Sequence, residues 1–329
     1  MATDVRDITD EVKRSNGPLL RAKEAMAKVI VGQEHLLDRM MMALLTDGHL
    51  LLEGVPGLAK TLAITTLSKV TSCEHKRIQF TPDLLPADLI GTNIYNPKEG
   101  TFTIKKGPLF TNIVLADEIN RAPGKVQSAL LEVMQERQVT IGGETFKTGT
   151  PYLVVATQNP IEQEGTYPLP EAQTDRFMMK VKLDYPTMGE EKEILRRWAR
   201  IGVTPDATPV LSPEDILKAR QIVNQIYVDD KIVDYILNIV FSTRDPAEFG
   251  VPIEGLLEFG ASPRASMALK LCGQASAFLA GRGYVTPHDI KSICADVLRH
   301  RVRLSYEAEA EELDVDDVID RILDTIAVP

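Results

Sequence analysis

The stretch Gly54-Val55-Pro56-Gly57-Leu58-Ala59-Lys60-Thr61, with Leu62 behind it, joins a run of leucines to a helical pattern. Glycines let a backbone approach a ligand closely, and a helix that starts just after such a loop offers unpaired amides to an anion. A lysine and a hydroxyl at its end suit a polyphosphate. Lys60 would reach the β- and γ-phosphates, and the Thr61 hydroxyl would ligate Mg²⁺. Ala59 stands where the usual pattern has its second glycine, and alanine is small enough for close approach. A Gly-Pro turn ahead of a helix is the plain alternative.

A second apolar run, Ile113-Val114-Leu115-Ala116, ends in Asp117-Glu118. Carboxylates at the C-terminal end of a buried strand point into the crevice where α/β sheets bind ligands. Asp117 suits a magnesium shell, and Glu118 suits a base that deprotonates an attacking water. A third run, Tyr152 to Thr157, ends in Gln158-Asn159, where the amide of Asn159 could hold that water or a terminal phosphate.

The elements that must position these groups follow from hydrophobic patterning. Strands are expected at His49 to Glu53, Lys76 to Phe80, Ile113 to Asp117, Tyr152 to Thr157 and Phe177 to Leu183, with helices such as Lys60 to Val70 and Lys125 to Glu136 between them. Strand alternating with helix predicts an α/β fold with a mostly parallel sheet. Asn93 to Lys106 and Gln138 to Lys147 read as hairpins that project from the sheet, the second around Gly142-Gly143. Beyond Thr187 strand signals vanish. Glu190 to Arg200, Pro213 to Tyr227, Asp230 to Arg244, Pro263 to Gly281, Pro287 to Arg301 and Val315 to Ile326 read as helices, several opened by a capping Ser or Thr before proline. Two domains are expected, 1–188 and 189–329, the second all-helical.

Composition excludes several functions. The chain has 329 residues, 44% hydrophobic and 26% charged, and a formal net charge of −10. That charge disfavours a nucleic-acid track. The one dense basic run, Arg299, His300, Arg301 and Arg303, reads as a solvated helix end. No apolar run spans a bilayer and no secretory leader opens the chain, so a cytoplasmic location is expected. Cys73, Cys272 and Cys294 form no disulfide or metal pattern, and the five histidines show no zinc spacing. Met40-Met41-Met42 reads as helix core.

Taken together, Gly54 to Thr61, Ala116 to Pro123, Gln127 to Glu136 and the long stretch Ala156 to Phe177 resemble the AAA+ ATPases, and more narrowly the MoxR family. The resemblance implies a P-loop AAA+ three-layer αβα core followed by a helical lid, an ATP phosphohydrolase with ATP and Mg²⁺, and a homo-oligomer, expected as a hexameric ring. It gives Asn159 the role of sensor 1. Arg176 resembles the arginine finger that acts on a neighbouring subunit's ATP, and Arg264 resembles sensor 2. Val31-Gly32-Gln33 resembles the adenine-side segment. The hairpins match inserts that face the pore or contact substrate in ring-shaped relatives, which marks Phe102, Lys105 and Lys106 as contact residues. Asp245 to Gly260 fits an insertion ahead of the lid helix. The implied work is chaperone-like remodelling of protein partners, typically one with a von Willebrand factor A domain, during metal-cofactor insertion or complex maturation. The ATPase subunit of a metal chelatase, a DNA-translocating helicase and a nucleotide-gated scaffold are the competing readings.

Overall fold

The computed structural model describes residues 5–55, 57–160, 166–202 and 206–329. Contacts divide the chain into two compact units. One comprises Arg21–Arg176 and Val181–Ile216, the other Met1–Leu20, Phe177–Lys180 and Leu217–Pro329.

The main sheet contains five strands: β1 (Leu50–Glu53), β2 (His75–Gln79), β3 (Ile113–Asp117), β4 (Leu153–Gln158) and β5 (Met179–Lys182). Their spatial order is β2-β3-β4-β1-β5. β2 pairs with β3, β3 with β4 and β4 with β1, all in parallel. The three inner strands explain their own apolar spelling. Leu50–Leu52, Ile113–Ala116 and Leu153–Ala156 are all buried, as strands covered on both faces must be. Each leucine, isoleucine and valine among them contributes roughly 1.5–3 kcal/mol relative to exposure. β2 differs. It lies at an edge and exposes His75, Lys76, Arg77 and Gln79.

Both expected hairpins form their own two-stranded antiparallel sheets. Gly91–Asn96 pairs with Thr101–Lys106, and Gln138–Ile141 pairs with Glu144–Lys147. The second turns at Gly142 and Gly143, with φ of 60° and 91°, the left-handed geometry that a two-residue turn demands. The hairpins abut: a Cβ on Gly142 would fall 1.9 Å from the Asn93 amide nitrogen. Tyr95 and Phe102 face each other across the first hairpin, ring centroids 5.1 Å apart, and Phe102 is exposed. Lys106 instead lies over the rings of Phe110 and Phe146, at 5.1 and 4.6 Å, so packing partners already engage this expected contact residue.

In the other unit the expected helices are present: Asp230–Ser242, Pro263–Leu279, Pro287–Leu298 and Val315–Thr325, together with Val5–Ser15 near the start of the chain. The capping signals are used as the sequence suggests. Ser262 accepts from the Arg264 amide at 3.2 Å, and Thr286 forms a capping box with Asp289. Two expectations need correction. The segment read as purely helical also holds a short antiparallel pair, Leu257–Phe259 with Arg303–Leu304, too short to leave an alternating pattern. The basic run at 299–303 is not a solvated helix end. Arg299 bridges Asp296 and Asp316 at 2.6 and 3.0 Å and donates to the Lys180 carbonyl at 2.8 Å. Arg301 donates to the Phe177 and Met178 carbonyls at 2.6 and 3.1 Å, and His300 contacts the Phe177 carbonyl at 3.1 Å. The backbone carbonyls of Phe177, Met178 and Lys180 draw the two arginines inward. Met40, Met41 and Met42 are buried, as expected, and all three cysteines are buried and outside any disulfide. Among the described residues, no helix is long and apolar enough to cross a membrane.

Burial, aided by the neighbouring Arg301, holds the His300 imidazole well below its ordinary proton affinity. The folded chain therefore keeps it neutral, while the unfolded chain protonates it near pH 6.5. Below that pH the unfolded state binds the extra proton, so stability falls as pH drops, by up to about 1.4 kcal/mol per pH unit for this one group. Urea unfolding at pH 7.5 and 5.5 should reveal that slope. His300→Gln should shrink it, and an unchanged slope would remove His300 as its source.

Candidate functional site

Because β3, β4 and β1 are neighbours, their C-terminal ends lie side by side. They deliver the Gly54 loop, the Asp117-Glu118 pair and Gln158-Asn159 to one place, the crevice beyond the strand ends. A cavity of about 420 Å³ opens there, lined by Gly54, Gly57, Ala59, Lys60, Thr61, Leu62, Arg77, Asp117, Glu118, Thr157, Gln158 and Asn159. Its size suits a small-molecule ligand.

Helix Lys60–Val70 begins at this cavity with Ala59 as its N-cap and no side-chain cap. Its first amides are the unsatisfied donors that helix starts always leave, and the helix dipole adds positive potential. Ala59 adopts φ 56°, ψ 18°, a left-handed conformation, so the missing glycine has a backbone consequence that the size of alanine does not reveal. Lys60 folds back to donate to the Gly54 carbonyl. Burial lowers its proton affinity, and Asp117, Glu118 and Glu53 pull it back up.

The two acids are held in a network. Asp117 Oδ1 accepts from the Thr157 hydroxyl at 2.6 Å. Asp117 Oδ2 accepts from Arg77 Nη2 at 2.6 Å and Nε at 3.1 Å. Glu118 Oε2 accepts from the Gln79 amide at 2.7 Å and pairs with Arg121 Nε at 3.0 Å. The Thr157 hydroxyl also accepts the Glu118 backbone amide at 2.8 Å, so one side chain ties both acids. Glu118 itself has φ 56°, a strained setting for a residue with a Cβ and one that clusters at functional sites.

These residues fit a nucleoside triphosphate with magnesium. A lysine and uncapped amides would meet phosphate charge, while Thr61 and Asp117 offer the two oxygen ligands that magnesium usually takes from protein beside phosphates. The described residues contain no cluster of three or more His, Cys, Asp or Glu able to hold a metal unaided.

Of the residues expected from the sequence, Gly54, Gly57, Ala59, Lys60, Thr61, Leu62, Asp117, Glu118 and Asn159 share this wall. Val55 and Leu58 belong to the loop but not to the cavity lining, Leu58 being buried beneath it. Pro56 lies outside the described residues. Val31, Gly32 and Gln33 lie outside the lining too. Gln33 donates to the Asp184 carbonyl at 2.9 Å, and a Cβ on Gly32, φ 68°, would meet Glu190 at 2.3 Å. Arg176 is exposed and outside the cavity. Arg264 begins helix Pro263–Leu279 in the other unit. Sequence reasoning missed Arg77, Gln79, Arg121 and Thr157. The first two carried a signal: residues two apart on a strand share a face, and β2 abuts the strand that ends in the acids.

Comparison with known proteins agrees with this geometry. Residues 49–179 match the model of the ATPase family associated with various cellular activities (AAA), and residues 253–322 match the AAA lid domain. The chain is 50% identical to Chaperone MoxR1 of Mycobacterium tuberculosis, over 94% of this chain and 82% of that one. It is 31% identical to Protein MoxR of Paracoccus denitrificans, over 94% and 95%. A crystal structure of a protein assigned as an ATPase, from Cytophaga hutchinsonii, superposes with a TM-score of 0.91 at 47% identity, covering 98% of both chains. Fold and site thus define an AAA+ ATPase. Within that class the chain belongs to the MoxR family.

Ala59→Gly should stabilise the fold by about 0.5–1 kcal/mol, since a left-handed Cβ costs ~1–2 kcal/mol and glycine returns part of that as freedom in the unfolded chain. Urea unfolding measures this. A loss of stability would mean that the loop is not strained at this position.

Proposed function

We propose that this chain is a magnesium-dependent ATP phosphohydrolase that works as a homo-oligomer to remodel protein partners. The carrying observation is that Lys60, Asp117, Glu118 and Asn159, from three separate strand ends, line a single cavity at an uncapped helix start. When bound, ATP with magnesium supplies the transferable phosphoryl group and neutralises its charge. In this reading Lys60 leaves the Gly54 carbonyl for the β- and γ-phosphates. Thr61 and Asp117 would hold the metal. Glu118 takes the proton of the attacking water, and Asn159 orients that water or the γ-phosphate. Glu118 must first let go of Gln79 and Arg121, which hold it at rest.

Arg176 belongs to the neighbouring subunit's site in this reading. Its exposure outside its own chain's cavity supports a role in trans, where a guanidinium would stabilise charge on the transferred group. Arg264 would read the nucleotide from the lid, and Val31 to Gln33 would border the adenine. A hexameric ring fits the family, and the exposed Tyr95–Phe102 pair on the first hairpin would touch the client. Remodelling is supported by the name of the half-identical relative, Chaperone MoxR1. A von Willebrand factor A domain partner, met during metal-cofactor insertion or complex maturation, follows from the MoxR resemblance.

The decisive measurement is ATP turnover against protein concentration, with oligomeric mass followed in parallel. Specific activity should rise with assembly. Glu118→Gln should lower turnover by roughly 10²-fold or more while ATP binding persists, and Arg176→Ala should lower it by about 10³-fold without loss of binding. Full activity in Arg176→Ala, or turnover independent of assembly, would reject the shared interface.

A further inference from the structure

Arg77 and Gln79 stand two residues apart on the edge strand β2, so their side chains share a face beside the acids. In register, Gln79 is opposite Asp117 and Arg77 is opposite Leu115, which places Arg77 diagonally across from the carboxylate, within reach of a long side chain. Its guanidinium donates twice to a single oxygen, Asp117 Oδ2, at 2.6 and 3.1 Å, while Thr157 occupies Oδ1 at 2.6 Å. Both oxygens of the expected metal ligand are therefore engaged within the chain. An oxygen that ligates magnesium lies about 2.0–2.1 Å from the ion. A guanidinium still bonded to that oxygen would sit against a divalent charge at short range, where like charges repel strongly. The two cations compete for one atom.

We propose that Arg77 is a displaceable counter-ion that holds Asp117 in the metal-free site and yields it when a divalent cation enters with nucleotide. This rests on the nucleotide and magnesium reading given above. Arg77 is a positioning residue, acting through Asp117. The exposures of the pair favour its departure: the Arg77 side chain is 52% exposed and Asp117 only 15%, so the arginine has room to leave and the acid does not. A second acceptor waits for it, since Arg77 Nη2 also donates to Gln79 Oε1 at 3.0 Å. Gln79 in turn donates to Glu118 at 2.7 Å. Release of Asp117 therefore disturbs the amide that restrains the second acid, and metal arrival at one carboxylate is felt at the other. A cavity-wall arginine could instead bind phosphate directly, and the two roles differ in metal-free buffer: removing a counter-ion leaves nucleotide binding there nearly unchanged, whereas removing a phosphate ligand weakens it.

The test uses the full chain as wild type, Arg77→Met, which keeps the apolar stem, and Arg77→Lys, which keeps the charge. Dissociation constants for the fluorescent probe mant-ADP are measured in EDTA and in saturating MgCl2. Mn²⁺ binding in the presence of excess ADP is read by electron paramagnetic resonance. The ratio of the two nucleotide constants, EDTA over MgCl2, should rise about fivefold in Arg77→Met, the worth of one partly exposed ion pair no longer broken. Mn²⁺ affinity should tighten by a similar factor, since the coupling is reciprocal. Arg77→Lys should fall between Arg77→Met and wild type. An unchanged ratio in a variant that unfolds at the wild-type temperature overturns the proposal. So does a weakening of several-fold in EDTA, the mark of a phosphate-binding arginine. If Arg77→Met does not fold, Arg77→Lys decides by the same ratio. Wild-type protein that binds no mant-ADP in either buffer would defeat the nucleotide reading itself, whereas normal wild-type binding with an unmoved ratio defeats only the role of Arg77.

Discussion

Parallel pairing of β3, β4 and β1 is the constraint on which the site depends. A cation, two carboxylates and an amide must meet within one small cavity, yet they lie up to a hundred residues apart in the chain. Register solves the problem: Leu50 pairs with Val155 and Ile113 with Leu153, so the three strands run out together. Inserting β1 beside β4 rather than beside β2 is what brings the phosphate loop to the acids. The apolar run that buries each strand and the polar residue that follows it thus form one design. Burial fixes where the strand ends, and the next residue inherits a fixed place on the cavity wall.

Thr157 refines that placement. Its hydroxyl donates to Asp117 and accepts from the Glu118 amide, so a buried side chain on one strand sets both the carboxylate and the backbone at the end of another. The left-handed backbone of Glu118 is held by this arrangement and by the turn that follows, where the Arg121 amide bonds to the Glu118 carbonyl. Strain of this kind persists only where surrounding contacts over-determine the conformation.

Much of this was legible in the sequence because the relevant signals are local. Glycine loop, lysine and hydroxyl are contiguous, and each acid or amide directly follows an apolar run. Four of the five strands lie within one residue of their expected bounds, while β5 is three residues shorter than the run Phe177 to Leu183 suggests. What stayed hidden was pairing between distant segments. The guanidinium of Arg77 finds its meaning only beside β3, and the basic run at 299–303 only beside the carbonyls of 177–180. A charge cluster in sequence does not say whether its partner is water or a buried backbone oxygen. The strain at Ala59 was equally invisible, since side-chain volume carries no information about φ.

The edge position of β2 has a consequence for behaviour at high concentration. An outer strand presents unpaired amides and carbonyls to any other chain, which makes it a template for unwanted sheet growth. Here that rim is spelled His75, Lys76, Arg77, Ile78 and Gln79, with Ile78 alone turned inward. Charged and polar side chains along the rim oppose docking of a second strand. Two of these residues, Arg77 and Gln79, also attend the acids, so one stretch of strand serves both the site and the protection of the edge.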